Sequence, residues 1–258
     1  MAKDDIFSKV PDIGYSEPND FKDPSGFASL IEARRSCRVY TDEKVPEDVV
    51  RTCLSQALLA PNSSNLQSWQ FYWARTPEVK SKIVEACLSQ PAAKTAQELI
   101  VAVAHPEMWR TTRLLNLEAF KEESNLKVPQ SALDYYEKLV PLAYNQGPLG
   151  IFGLIKRPIL FFRGLSKVTP RGPVSRADMR VWANKSTALA CQQLMLAFRA
   201  QGYDTCPMEG FDETLVAKAI KMPSKSEVCM IISVGKRDAK GIYGPRKRFD
   251  EKLFIHEV

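Results

Sequence analysis

The stretch "ARRSCRVYTDEKVPEDVVRTCLSQALLAPNSSNLQSWQF", residues 33–71, sets a basic cluster and an amide-rich turn on either side of one helical pattern. Pro46 suits a first helical position, and Glu47 and Asp48 complement the N-terminal dipole. Val50, Cys53, Leu54, Ala57 and Leu58 fall on one face at helical spacing. Pro61 disfavours helical geometry in the residue before it, which predicts a stop near Ala60. Ahead of the helix, Arg34, Arg35 and Arg38 surround Ser36. A planar guanidinium fork suits phosphate and carbonyl oxygens, and a serine adds a neutral partner. Behind it come Asn62, Ser63, Ser64, Asn65 and Gln67, an edge of donors and acceptors of the kind a ring bearing carbonyls and nitrogens requires. Both clusters also have ordinary readings. Arginines complement a helix C-terminus on solvated faces, and such turn residues satisfy loop backbone.

Working outward, "WQFYWA" (69–74), "ELIVAVA" (98–104) and "EVCMIISVG" (227–235) read as strands. Helical patterns cover 25–35, with Phe27, Leu30 and Ile31 on one side, then 77–89, 107–123 and 130–142. A long helix runs from Asp178 to Gly202, where a left-handed residue closes it, and Asp212 caps another over 213–221. Residues 1–24 are polar and read as an extended arm. Between 147 and 173, "GPLGIFGLIKRPILFFRGLSKVTPRGP" is apolar and basic together. Few strands, many helices and no G-x-G-x-x-G after a strand argue against a doubly wound dinucleotide fold. The expectation is an α+β domain, a small sheet surrounded by helices.

The chain has 258 residues, 45% hydrophobic and 26% charged, ordinary values for a soluble globular protein. Its net charge of +6 favours anionic ligands without calling for nucleic acid. Six scattered cysteines without a C-x-x-C, and two histidines, argue against a metal site and against a disulfide framework. They read as reduced thiols in a cytoplasmic protein. The N-terminus lacks the apolar run of a secretory signal, and no stretch reaches the roughly 18 apolar residues of a membrane span.

Two later segments add chemistry. In "DTCPMEGFD" (204–212), Pro207 stiffens the backbone and Gly210 permits a close approach, with Glu209 between them. The ordinary reading is a turn into the next helix. In "GPRKRFD" (244–250), Arg246 and Arg248 alternate, so on an extended segment they point the same way and could clamp one phosphate.

In order and spacing, "RRSCRVY" (34–40), "KVPEDVV", "APNSSNLQSW" (60–69), "PMEGFD" (207–212) and "RKR" (246–248) resemble the FMN-dependent nitroreductase family. The likeness covers roughly 27–104 and 180–256. It departs at Asn62, where the family has serine, at Ser68, where it has proline, and in a longer 105–180 segment. The resemblance implies a nitroreductase-like fold, with a mostly antiparallel sheet, in a domain-sharing homodimer. It implies that Arg34, Arg35, Ser36, Arg246 and Arg248 hold the FMN phosphate and ribityl chain, with Arg38 near the pyrimidine edge. Pro61, Ser63 and Asn65 would come from the other subunit. Pro207, Met208, Glu209 and Gly210 would lie along the ring, a backbone N–H of Glu209 or Gly210 reaching N5, with Gln90 and Lys94 as further contacts. No side-chain nucleophile and no metal are expected, and Cys37 and Cys206 read as structural thiols.

The activity implied is ping-pong oxidoreduction, from NADH or NADPH through FMN to a nitroaromatic, quinone or similar small aromatic acceptor. The expected layout is a single domain over 25–258 with a helical insertion at about 105–178, part of it an active-site lid. Alternatives on the same fold are a reductive dehalogenase, for which "LDYYEKL" (133–139) has the residue types, and a flavin reductase. Outside enzymes stand a flavin-binding sensor and a membrane-docking protein that uses the basic, apolar 150–176 segment.

Overall fold

The computed structural model describes residues 13–17, 22–122 and 125–258. The N-terminal arm expected over 1–24 lies mostly outside the described residues. In chain order the main elements are α1 (Pro24–Ala33), α2 (Glu47–Ala57), β1 (Trp69–Trp73), α3 (Pro77–Ala86), α4 (Pro91–Lys94) and β2 (Glu98–Ala104). There follow α5 (Trp109–Glu122), α6 (Gln130–Asp134), α7 (Val140–Tyr144), α8 (Ile151–Arg163) and α9 (Arg176–Ala200). The chain then forms β3 (Asp204–Met208), α10 (Glu213–Ile220) and β4 (Glu227–Gly235).

The four strands form one antiparallel sheet in the order β1-β2-β4-β3. β2 is central, and its apolar run divides by the two-residue period of a strand. Leu99, Val101 and Val103 join Ile83, Ala86 and Met208 in a core on one face. Ile100 and Ala102 join Val50, Cys53, Leu194 and Phe198 on the other. A strand covered on both faces reads as continuous rather than alternating hydrophobicity.

The expected α+β class and small sheet inside helices are what the structure has. The edge strand β3 is the addition, since sequence reading made 204–212 a turn. Pro207 sits opposite Ile232 in the ladder. A proline donates no hydrogen bond, which an edge strand tolerates and a central one does not.

α9 starts at Arg176 rather than Asp178. Ser175 is its N-cap and Asp178 closes a capping box from the third position, accepting from the N–H groups of Val174 and Ser175 at 2.9 Å. Gly202, at φ 82°, ends the helix as expected, and the Asp212 carboxylate accepts from Thr214 and Leu215 N–H at the start of α10. α2 ends at Ala57, with a further turn to Ala60. α1 differs from expectation in burial: none of its residues is buried, and Phe27 and Ile31 stand exposed. Trp109, Leu117, Tyr136, Val140 and Tyr144, from the 105–144 segment, build a separate core with Met179 and Trp182 of α9.

Candidate active site

The 34–41 segment is laid along the open side of β3. Ser36 pairs with Thr205, and the Cys37 N–H donates to the Thr205 carbonyl at 3.0 Å. Farther on, the Arg38 and Thr41 N–H groups donate to the carbonyls of Gly241 and Lys236 at 2.8 and 2.9 Å. A buried carboxylate fastens this junction: Asp204 accepts from Arg199 at 3.0 Å and from Arg237 at 2.6 Å. Arg237 also reaches the carbonyl of Ala33 at the end of α1. The serine of the first motif therefore lies beside the strand that leads to Pro207.

The same threading gathers the two basic motifs. Arg34, Arg35, Ser36, Arg38, Tyr243, Gly244, Arg246, Lys247 and Arg248 line one open cleft of about 540 Å³. Main-chain oxygens set the side chains. Arg246 Nη2 donates to the carbonyls of Glu32 and Arg34 at 2.9 and 2.6 Å, and Arg35 Nη2 donates to Gly244 at 2.6 Å. The Arg38 guanidinium lies over the Tyr243 ring, 5.2 Å from its centroid. Among the described residues, no carboxylate pairs with any of these cations. Burial, with the charges of Arg246, Arg248 and Arg35, pushes the Arg34 pKa below its ordinary value. A like-charge cluster of this kind is relieved by an anion.

β3 carries the third motif. Met208 is buried in the core, whereas Glu209 and Gly210 are exposed. Among the described residues, nothing accepts from either N–H, and a Cβ added at Gly210 would meet open space. Gln90 Nε2 donates to the Gly210 carbonyl at 3.1 Å, bringing that side chain to the loop. Lys94 is exposed at the end of α4 and does not line the cleft. Burial raises the Cys37 and Cys206 pKa values, so both thiols stay protonated.

The amide-rich turn lies elsewhere. Pro61, Ser63 and Asn65 are exposed, Asn62 and Ser64 half-buried, and none lines the basic cleft. Ser64, Asn65 and Gln67 hold positive φ of 59°, 49° and 42°, a conformation side chains disfavour unless packing enforces it. The enforcement comes from the 105–144 segment. Asn65 Nδ2 donates to Asn116 Oδ1 at 2.8 Å, and Asn116 Nδ2 donates back to the Asn65 carbonyl at 3.0 Å. The Tyr136 hydroxyl donates to the Ser64 carbonyl at 3.0 Å, and the Tyr135 and Ser64 hydroxyls share a hydrogen bond. Asn62 Oδ1 accepts from Gln67 N–H at 2.8 Å, and the Ser68 carbonyl accepts from His105 N–H at 2.8 Å. The Asn62 side chain thus does structural work in the turn, and the Ser68 hydroxyl donates to the Ala183 carbonyl at 3.5 Å. The tyrosines of "LDYYEKL" are engaged by Ser64, and its Lys138 pairs with Asp134 at 2.8 Å.

Sequence reading missed Tyr243, Lys247 as a cleft residue, and the Asp204–Arg237 brace. Only Lys247 carried a signal, as the middle of the "RKR" run.

A family model described as Nitroreductase family matches residues 31–236. The protein DrgA of Synechocystis is 27% identical over 214 residues, covering 82% of this chain and 85% of DrgA. A Thermus thermophilus protein named NADH dehydrogenase is 24% identical over 203 residues, covering 78% of this chain and 82% of its own. A structure from Exiguobacterium sibiricum solved in complex with FMN superposes with a TM-score of 0.67 at 24% identity, covering 90% of this chain and 97% of that one. The chain belongs to the nitroreductase family.

Proposed function

We propose that the chain is an FMN-dependent NAD(P)H oxidoreductase, active as a homodimer, that reduces a nitroaromatic, quinone or similar small aromatic acceptor. The observation that carries this is the cleft of cations without a carboxylate partner among the described residues, whose Ser36 pairs with Thr205 on the strand that leads to the exposed Glu209–Gly210 backbone. The donor set fits a flavin nucleotide: arginine forks for a phosphate, Ser36 for a polyol chain, and free N–H groups for a ring edge. The Thermus relative is named NADH dehydrogenase, and the Exiguobacterium structure was solved in complex with FMN.

Arg34, Arg35, Arg246 and Arg248 would hold the phosphate, with Arg35 and Arg246 steadied by main-chain carbonyls. Arg38 would place positive charge at the pyrimidine edge, steadied by Tyr243. Pro207 and Met208 fix the strand, and Gly210 lets the backbone come close, so that Glu209 or Gly210 N–H can donate toward N5. When bound, FMN supplies two-electron chemistry: hydride in from NADH or NADPH, electrons out to the acceptor in a second half-reaction. No acidic or nucleophilic side chain of this chain is needed for either half.

Pro61, Ser63 and Asn65 are exposed and do not line the cleft, which fits their serving the flavin of a second copy. The exposed apolar residues Phe27, Ile31, Val181 and Leu189 lie on α1 and α9, which pack together, and offer a surface for that copy. The lid reading then belongs to 130–144, which buttresses the turn and would wall the same pocket. The test is anaerobic reduction of the FMN-loaded protein by each nicotinamide, then reoxidation by nitrofurazone, menadione, free FMN and a halotyrosine. Reoxidation by the halotyrosine alone, or no reduction by either nicotinamide, refutes the reading.

A further inference from the structure

α8 is unlike the other helices of its length. Among the described residues, Gly153 is its one buried position. It is seated so closely that a Cβ there would lie 2.3 Å from the Val174 carbonyl oxygen. At about 100° per residue, the side turned away from Gly153 is a continuous arc of roughly 160°. That arc runs from Phe161 through Leu154, Pro158, Phe162 and Ile155 to Ile159, with Leu154 71% and Phe162 67% exposed, and Leu165, 70% exposed, follows in the turn after the helix. Arg157 and Arg163 border it, one on each side. Lys156 faces the body instead, donating to the Ala143 and Asn145 carbonyls at 2.9 and 2.6 Å.

The charge around this face is one-sided. Residues 138–177 contain seven Lys or Arg and no Asp or Glu. An apolar arc between cationic margins is the pattern of a helix lying in the plane of an anionic lipid surface. At 13 residues α8 is too short to cross a bilayer, and no helix of the described residues is long and apolar enough to do so. A second copy docking through the same face about a twofold axis would set these cations against their own images, which argues against self-association there.

We infer that α8 is an interfacial anchor: the protein docks reversibly on anionic phospholipid membrane through Leu154, Phe161, Phe162 and Leu165, with Arg157, Arg163 and Lys167 at the headgroups. The inference does not depend on the bound flavin or on any acceptor.

The test is co-sedimentation of the intact protein with phosphatidylglycerol-containing vesicles and with pure phosphatidylcholine vesicles, at low and high salt. Binding is expected to the anionic vesicles only, weakening as salt screens it. Leu154→Ser with Phe162→Ser should lower vesicle affinity at least about tenfold, because two exposed anchors are removed. Arg157→Gln with Arg163→Gln, which removes charge and leaves the apolar arc intact, should do the same; because Arg157 lies near the Asp178 carboxylate, a melting curve of this variant accompanies the test. Light scattering of each variant should show the wild-type mass. Failure of the wild type to sediment with anionic vesicles overturns the inference, and so does equal binding to both vesicle types. A change of oligomeric mass in the serine variant also overturns it, and makes the face a contact between copies.

Discussion

Arg246 is held by two carbonyls through one nitrogen, so the rest of its fork remains for a ligand. A charge-assisted hydrogen bond is worth about 1.5–3 kcal/mol, so Arg246→Ala should weaken FMN binding about tenfold to a hundredfold in a fluorescence titration. Arg246→Lys should recover part of the loss, as a point charge without the fork. Unchanged affinity at low ionic strength would remove this residue from the phosphate site.

His105 makes a second, independent point. Its Nδ1 is buried with no partner among the described residues, and burial pushes its pKa below the usual histidine value, against a smaller opposing pull from Glu107. Below about pH 6.5 the unfolded chain therefore binds the proton more readily than the folded one, and stability falls as pH drops through that value. Melting curves between pH 7.5 and 5.5 should fall more steeply for the wild type than for His105→Gln.

Elements differ in how far the sequence discloses them. β2 and β4 were legible because a short apolar run between polar flanks leaves little alternative to a buried strand. β3 was hidden because Pro207 argues against a strand unless an edge position is already known. α8 was hidden because Pro158 inside it and the glycines at 150, 153 and 164 read as breaks in a helix. Within the site, the arginine motifs could be read because their order and spacing with the other motifs resemble a known family, whereas each cluster alone has an ordinary surface reading. Tyr243 and the Asp204 brace could not, because each acts only through chain segments that the fold brings together. That brace gives the prediction at this scale. Asp204→Asn leaves Arg199 and Arg237 without their buried partner and should cost about 3 kcal/mol in denaturant unfolding. A loss below about 0.5 kcal/mol would show that the junction of α9, β3 and the 34–41 segment is held by packing alone.

For the whole molecule, the basic cleft and the 61–67 turn make one pocket only if two copies assemble. The account therefore expects a particle of twice the 29.0 kDa chain mass. Ile31→Glu with Leu189→Glu, on the exposed sides of α1 and α9, should shift it toward monomer and lower FMN affinity together. A monomer that keeps full affinity would mean the turn serves another purpose.

The central claim is that this cleft holds a flavin nucleotide that nicotinamides reduce. The most direct measurement is the visible spectrum of the protein titrated with FMN under anaerobic conditions and then given NADH or NADPH. Saturable binding is expected, one FMN to each chain, with bleaching of the visible flavin band on reduction. A protein that stays colourless beside excess FMN, or a bound flavin that neither nicotinamide bleaches, would contradict it.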